Sequence, residues 1–387
     1  MSHLPAFRSL AVLTEGGLDI YRNKTAMTLL RFRPQDILCV IDSQHAGNDL
    51  FALTGLGKGI PIVASIEEAL PLQIEWLVIG VSTPGGYLPK HLRPQVYDAI
   101  RNRIGVISGL HESVNGDPNL VSLAARHCVE LVNLRRIPEM EPHISTAKAR
   151  QIRQLRVLTV GTDTNIGKTT TSLTLDRFLR ASGHKSRYIA TGQDGIMVTG
   201  HGLCIDRVIS DFCGGAIENL VLQGARDCDI MVIEGQNSIL SPCYSGSALS
   251  MLHGVCPDAM ILCHAPTRTM LRHTDVPVPS LSTYIHLYEA LLAPLHPGKV
   301  VGIALNTLEL SDSEAAAAIS AARRETGLPV ADAIRGGAPA CRTLLKPILT
   351  LSARRQARLA RSSRRDTAST AKRRPLKPHS RLARNAG

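Results

Sequence analysis

"GTDTNIGKTTT", residues Gly161 to Thr171, follows the apolar run LRVLTV (155–160) and opens onto KTTTSLTLDRFLRASG (168–183). A short β-branched run, a turn bounded by glycines and a helical repeat in that order predict strand, loop and helix. We read Gly161, Gly167, Lys168 and Thr169 as the fixed residues of a phosphate-binding loop. The chemistry explains the residue types. Glycines let backbone N–H groups turn toward an anion without a Cβ in the way. The helix beginning at Lys168 adds its N-terminal dipole, and the lysine adds a point charge. Thr169 can offer a hydroxyl to Mg²⁺. The whole stretch Gly161, Thr162, Asp163, Thr164, Asn165, Ile166, Gly167, Lys168, Thr169 and Thr170 is therefore the expected cofactor-binding segment.

Around this loop the pattern is strand and helix in alternation. Further strands are predicted at SRYIATG, DIMVIEG, AMILCHA and KVVGIALN, making residues 155–345 an α/β unit with a mostly parallel sheet. Before it, ILCVID, IPIVAS, IEWLVIG and IGVISGL read as strands separated by helices, so residues 1–140 form a second, Rossmann-like α/β unit. The charged and proline-containing stretch at 141–154 is the linker. The loops of the first unit carry His45, His111 and Glu112, but no GxGxxG follows its first predicted strand, which weakens a dinucleotide-binding reading.

The 387 residues are 44% apolar and 3% aromatic, enough for two cores built from aliphatic side chains. No apolar run approaches the roughly 18 residues of a membrane span, and the N-terminus lacks the pattern of a signal peptide. Nine cysteines occur without a CxxC pair, which predicts reduced thiols and a cytoplasmic protein. The net charge of +12 is localised: from Lys346 onward there are thirteen Lys and Arg against one acid, Asp366. Residues 346–387 are expected to be a disordered basic tail able to contact nucleic acid nonspecifically.

Candidate functional residues cluster at predicted strand ends. Glu234 and Asp211 are candidate metal acids beside Thr169, and Asn306 is placed to read a nucleobase. Gln193 in ATGQDG, and Gln236, Ser238 and Tyr244 in GQNSILSPCYSG, lie in polar loops suited to substrate. Arg268 is a candidate carboxylate or phosphate clamp. Glu234, His264 and His111 are the candidate catalytic bases.

The loop GTDTNIGKTT followed by IEGQ resembles dethiobiotin synthetase and related amide-forming ATPases; the resemblance places Lys168 and Thr169 on phosphate and metal, with Glu234 on Mg²⁺. A longer resemblance runs from about Leu29 to Arg268, through LLRFRPQDILCVIDSQHAGND, LVIGVSTPGGYLP, SGLHE, ATGQDGI, VISDFCGGAIENLVL and IEGQNSILSPCYSGSALSMLHG. It is similar to the DgcN-type family, named for a D-glutamate N-acetyltransferase. That resemblance implies a Rossmann-like domain followed by a phosphate-loop domain, with acetyl-CoA as cosubstrate and D-glutamate or a similar amino acid as acceptor. The phosphate loop would then hold coenzyme A without cleaving it. The alternatives are an ATP- and Mg²⁺-dependent ligase or kinase, and a nucleotide-binding protein without chemistry. A homo-oligomer acting on a small molecule, with no membrane partner, is expected.

Overall fold

The protein was analysed as a computed structural model, which describes residues 2–3, 7–16, 18, 23–136 and 143–371. The strands are β1 (Ser2–His3), β2 (Leu10–Leu13), β3 (Ile37–Ile41), β4 (Ile62–Val63), β5 (Trp76–Ile79), β6 (Gly105–Ser108), β7 (Leu131–Asn133), β8 (Leu155–Gly161), β9 (Ser186–Ile189), β10 (His201–Gly202), β11 (Ile230–Ile233), β12 (Ala259–His264), β13 (Lys299–Leu305) and β14 (Val330–Asp332). Twelve of them form two six-stranded sheets, ordered β4-β3-β2-β5-β6-β7 and β14-β13-β12-β8-β11-β9, in which every pairing is parallel, while β1 and β10 form an antiparallel pair. Helices cover both six-stranded sheets. The class is α/β, with a Rossmann-like first domain and a phosphate-loop second domain.

Parallel strands covered on both faces must be apolar throughout. Leu10–Leu13, Gly105–Ser108 and Ile230–Ile233 are buried at every position. Strand β8 is buried along its full length, Arg156 included. Arg156 is tolerated at the amino end because its Nε donates to the Cys256 carbonyl at 2.8 Å and Asp258 lies 3.2 Å from its guanidinium.

Two elements of the first domain are absent from the sequence reading. Strand β2 is the centre of its sheet, yet "LAVL" is only four residues long. The helix Lys24–Phe32 follows it, and residues 19–22 at its entrance lie outside the described residues. The stretch 141–154 is less loose than a linker. Where described, it lies on the helix Ser210–Gly224, whose buried Glu218 accepts from the backbone N–H groups of Thr146 and Lys148. The basic segment also carries more order than its composition predicts. A helix, Gly337–Ala371, runs across the expected start of the tail at 346, burying Leu344, Leu345, Ile348 and Ser352 against the second domain. The remainder of the tail, 372–387, lies outside the described residues.

The domains share a core. Leu10, Val12, Leu29, Leu30 and Ile107 of the first pack in one buried cluster with Leu173, Tyr188, Ile196 and Met197 of the second. Polar ties frame it. Asp194 pairs with Lys24 at 2.9 Å and accepts from the Thr25 hydroxyl at 2.7 Å. Arg135 reaches Gln193 at 2.9 Å and also pairs with Asp206. Such continuity predicts that the two domains unfold together. Trp76, the single tryptophan, lies in the first domain's strand β5 and packs edge-on against Phe7 at 4.7 Å, at the margin of the shared core. In urea, its fluorescence midpoint should coincide with the circular-dichroism midpoint to which both domains contribute. An earlier, separate Trp76 transition would contradict the shared core.

Candidate functional site

Strand β8 ends at Gly161 and the helix Lys168–Ala181 begins at Lys168, as the strand-loop-helix reading requires. Five residues separate Gly161 from Gly167, one more than the four of the common phosphate-loop spacing, so the pattern's first fixed position falls on Thr162. Gly167 has φ +103°, and a Cβ there would lie 2.8 Å from Ile334 Cδ1. No other residue fits that combination without strain.

The loop is fastened from behind. The Tyr284 hydroxyl donates to the Thr162 carbonyl at 2.7 Å, Ser238 Oγ donates to the same oxygen at 3.1 Å, and Tyr288 donates to the Gly161 carbonyl at 2.8 Å. Asp163 is buried, accepting from the Arg268 guanidinium at 2.8 Å and the Arg272 N–H at 2.8 Å. Lys168 Nζ donates to the Asp163 carbonyl at 2.6 Å, and burial lowers its pKa to about 8. Beneath the start of the helix, Thr169 Oγ1 donates to Glu234 Oε1 at 2.7 Å. The other Glu234 oxygen accepts from the N–H groups of Thr191 and Gly192 at 3.0 and 3.1 Å. Burial pushes the Glu234 carboxyl up from its ordinary range, against the lowering effects of the Thr169 bond and the Lys24 charge. Gly235 follows, and a Cβ on it would lie 1.5 Å from the Thr159 carbonyl oxygen, so strand β11 can pass β8 here only with glycine.

The loop opens onto a cavity of about 160 Å³ between the domains. One wall is Thr164 to Thr170, with Gln236, Asn237 and Asn306 beside it. The facing wall is the first domain's helix Lys24–Phe32, which contributes Lys24, Met27, Thr28 and Arg31. Among the described residues, three cationic side chains and no acid line this space. It suits the phosphate end of a ligand, since pockets enclosing whole drug-sized ligands hold roughly 300–1,000 Å³.

The predicted residues divide accordingly. Thr164 to Thr170, Gln236 and Asn306 line the cavity; Gly161, Thr162, Asp163 and Glu234 support it from behind. Ser238 is buried and spends its hydroxyl on the loop, so it serves as a fastening rather than a substrate contact. Arg268 likewise clamps Asp163 and does not line the cavity. Gln193 belongs to the domain junction through Arg135. His111 is also at that junction, 3.8 Å from Asp206, with its pKa lowered by burial and by the Arg135 charge. His264 sits beside the loop, its Nδ1 2.9 Å from Thr162 Oγ1, and burial lowers its pKa to about 4, which leaves a neutral and feeble base. Tyr244 is half exposed at the start of the helix Ser245–Val255. Asp211 is exposed in the first turn of the helix Ser210–Gly224 and takes no part in the hydrogen bonds around Thr169. The acid near Glu234 is instead Asp194, whose charge Glu234 feels. Its place in ATGQDG was visible in sequence, but no signal there distinguished it from Gln193. Nothing in the sequence pattern pointed to Lys24 or Arg31.

Fold and site together define a two-domain protein in which a phosphate-loop domain faces a Rossmann-like domain across a cavity lined by Lys24, Arg31 and Lys168. The chain belongs to the DUF1611 family: residues 143–341 match its P-loop domain and residues 43–137 its Rossmann-like N-terminal domain, both described as domains of unknown function. It is 35% identical to a D-glutamate N-acetyltransferase of a Pseudoalteromonas species over 318 residues, covering 81% of this chain and 91% of that protein. A second D-glutamate N-acetyltransferase, from Tritonibacter scottomollicae, is also 35% identical, over 83% of this chain and 93% of its own length. The crystal structure of a DUF1611 family protein from Anabaena variabilis superposes with a TM-score of 0.83 at 35% identity, covering 88% of this chain and 99% of that one.

The shifted lysine gives the site a pH signature. A phosphate oxygen favours the charged ammonium, so affinity for inorganic pyrophosphate should fall as pH rises through about 8 and Lys168 loses its proton. Calorimetry from pH 6.5 to 9.5 should show that decline in the wild type and a flatter, weaker profile in Lys168→Met. Equal slopes in both proteins would mean that Lys168 does not meet the anion.

Proposed function

We propose that the protein is an amino-acid N-acetyltransferase that moves the acetyl group of acetyl-CoA to the amino group of D-glutamate or a similar dicarboxylic amino acid. The observation that carries this reading is the 35% identity, along more than nine-tenths of their lengths, to two proteins named for that reaction. The cavity is compatible with it. Coenzyme A presents a pyrophosphate and a 3′-phosphate, and the loop N–H groups with Lys168 form an anion anchor that need not hydrolyse anything.

In the transfer, the amine nitrogen forms a bond to the thioester carbon, the C–S bond breaks and the thiolate leaves. The ammonium must first lose a proton. The phosphates and the thioester stand at opposite ends of coenzyme A's pantetheine arm, so the group that takes this proton lies away from the loop. Thr169, whose hydroxyl donates to Glu234, belongs to the phosphate end. Asn165 and Asn306 line the same cavity and can donate amide N–H groups to phosphate oxygens.

A second reading, an ATP- and Mg²⁺-dependent ligase or kinase, draws on the same Thr169–Glu234 pair. A hydroxyl and a carboxylate are the hard oxygen donors that Mg²⁺ accepts alongside phosphates and water. A bound Mg²⁺ would neutralise phosphate charge there.

The readings separate in one assay. Purified protein given acetyl-CoA and D-glutamate should release free thiol in the presence of EDTA and without ATP. Glu234→Gln, which weakens the support beneath Thr169, should raise the KM for acetyl-CoA with little change in kcat. Lys168→Ala should act mainly on the KM for acetyl-CoA, by about ten- to more than a hundredfold. No thiol release with any D- or L-dicarboxylic amino acid, together with ATP turnover that EDTA abolishes, would transfer the function to the second reading.

A further inference from the structure

Each of the three cations on the cavity wall has a different status. Lys24 is paired with Asp194 at 2.9 Å. Lys168 belongs to the phosphate loop and folds back on the Asp163 carbonyl. Arg31 has no carboxylate partner among the described residues. Its NH1 donates to the Ile334 carbonyl at 3.0 Å, which fixes the guanidinium at the cavity edge and leaves its other donors without a hydrogen-bond partner among the described residues. The acid it feels is Asp332, but that carboxylate is already engaged by the Ile334 and Arg335 N–H groups and by Thr307.

Position assigns this spare fork. Ile334 packs against Gly167, so the carbonyl holding Arg31 belongs to the same wall that shapes the phosphate loop. Arg31 itself comes from the other domain, on the helix Lys24–Phe32, one turn beyond Thr28 on the same face. Direct transfer requires donor and acceptor in one cleft. On the acetyltransferase reading the donor's phosphates would occupy the loop's N–H groups, and the first domain's wall, with Arg31 at the cavity edge, is left for a carboxylate of the second reactant. Planar guanidinium donors match a carboxylate in two parallel bonds.

Resting on the acetyltransferase reading, we propose that Arg31 is the specificity residue for the amino-acid substrate, binding one of its carboxylates across the domain cleft. Discrimination then arises from a half-buried fork: a neutral amide in place of the carboxylate leaves the guanidinium without its counter-charge.

The test uses the full chain and separates this claim from the reaction. Calorimetry with D-glutamate and with the unreactive dicarboxylate glutarate should show binding to the wild type. In Arg31→Met that affinity should fall about ten- to a hundredfold, while acetyl-CoA affinity stays within about twofold. Arg31→Lys, which keeps the charge but not the fork, should fall between them. In turnover, the wild-type preference for D-glutamate over D-glutamine should collapse in Arg31→Met, through KM rather than kcat. Melting temperatures of the variants show that the fold persists. If the wild type binds glutarate through Arg31 but transfers no acetyl group, the acetyltransferase reading fails and the carboxylate assignment stands. Loss of acetyl-CoA affinity in Arg31→Met with dicarboxylate binding unchanged would make Arg31 a phosphate contact, and would overturn the proposal. Absence of dicarboxylate binding by the wild type would overturn it as well.

Discussion

A phosphate loop must turn its backbone N–H groups into open space, so its carbonyls face inward and have to be satisfied from behind. Unpaired buried carbonyls would cost stability that the loop's few contacts cannot offset. Here the hydroxyls of Tyr284, Tyr288 and Ser238 close on the carbonyls of Thr162 and Gly161, and Lys168 closes on Asp163. This requirement explains why so many polar side chains near the loop are not ligand contacts. Arg268 and Ser238 have the chemistry of binding residues but hold the loop's shape. The two tyrosines come from the helix Leu281–Leu292, and burial raises both their hydroxyl pKa values, so they remain neutral donors.

With the loop fixed by the second domain, the rest of the cavity comes from the first. The shared core around Leu29, Leu30, Tyr188 and Met197 sets the helix Lys24–Phe32 opposite the loop, and the Lys24–Asp194 pair registers it. The residues lining the cavity are thereby split between domains packed through one core. In contrast to a hinge between loosely joined units, this junction is continuous packing, which favours a preformed site. The cost of ordering the cleft is met during folding rather than on binding.

The parallel-sheet architecture was readable because buried strands leave long apolar runs, and LRVLTVG, AMILCHA and KVVGIALN sit within a residue or two of the observed β8, β12 and β13. Strand β2, the four residues LAVL, was missed. The segment after Leu349 read as a disordered tail from its charge, whereas a helix continues there because its preceding turns are anchored by Leu344, Leu345 and Ile348 and because Arg355 pairs with Asp258 at 2.6 Å. Local composition carries no record of such tertiary anchoring. The same limit applies to the site. The loop was legible as a contiguous motif. Lys24 and Arg31 lie more than a hundred residues away in sequence and reach it only through the domain interface. His264 looked like a base by residue type, and only its burial shows that it is held neutral.

The central claim is that the loop grips the phosphates of a CoA thioester and cleaves none of them. Comparing acetyl-CoA with S-acetylpantetheine, which carries the same thioester without any phosphate, tests this most directly. With D-glutamate as acceptor, the account predicts that S-acetylpantetheine still supports transfer at saturating concentration, at a KM at least about a hundredfold higher, the worth of two or more charge-assisted contacts, and with no phosphate released from acetyl-CoA. Equal KM values for the two donors, or transfer accompanied by release of inorganic phosphate, would contradict it.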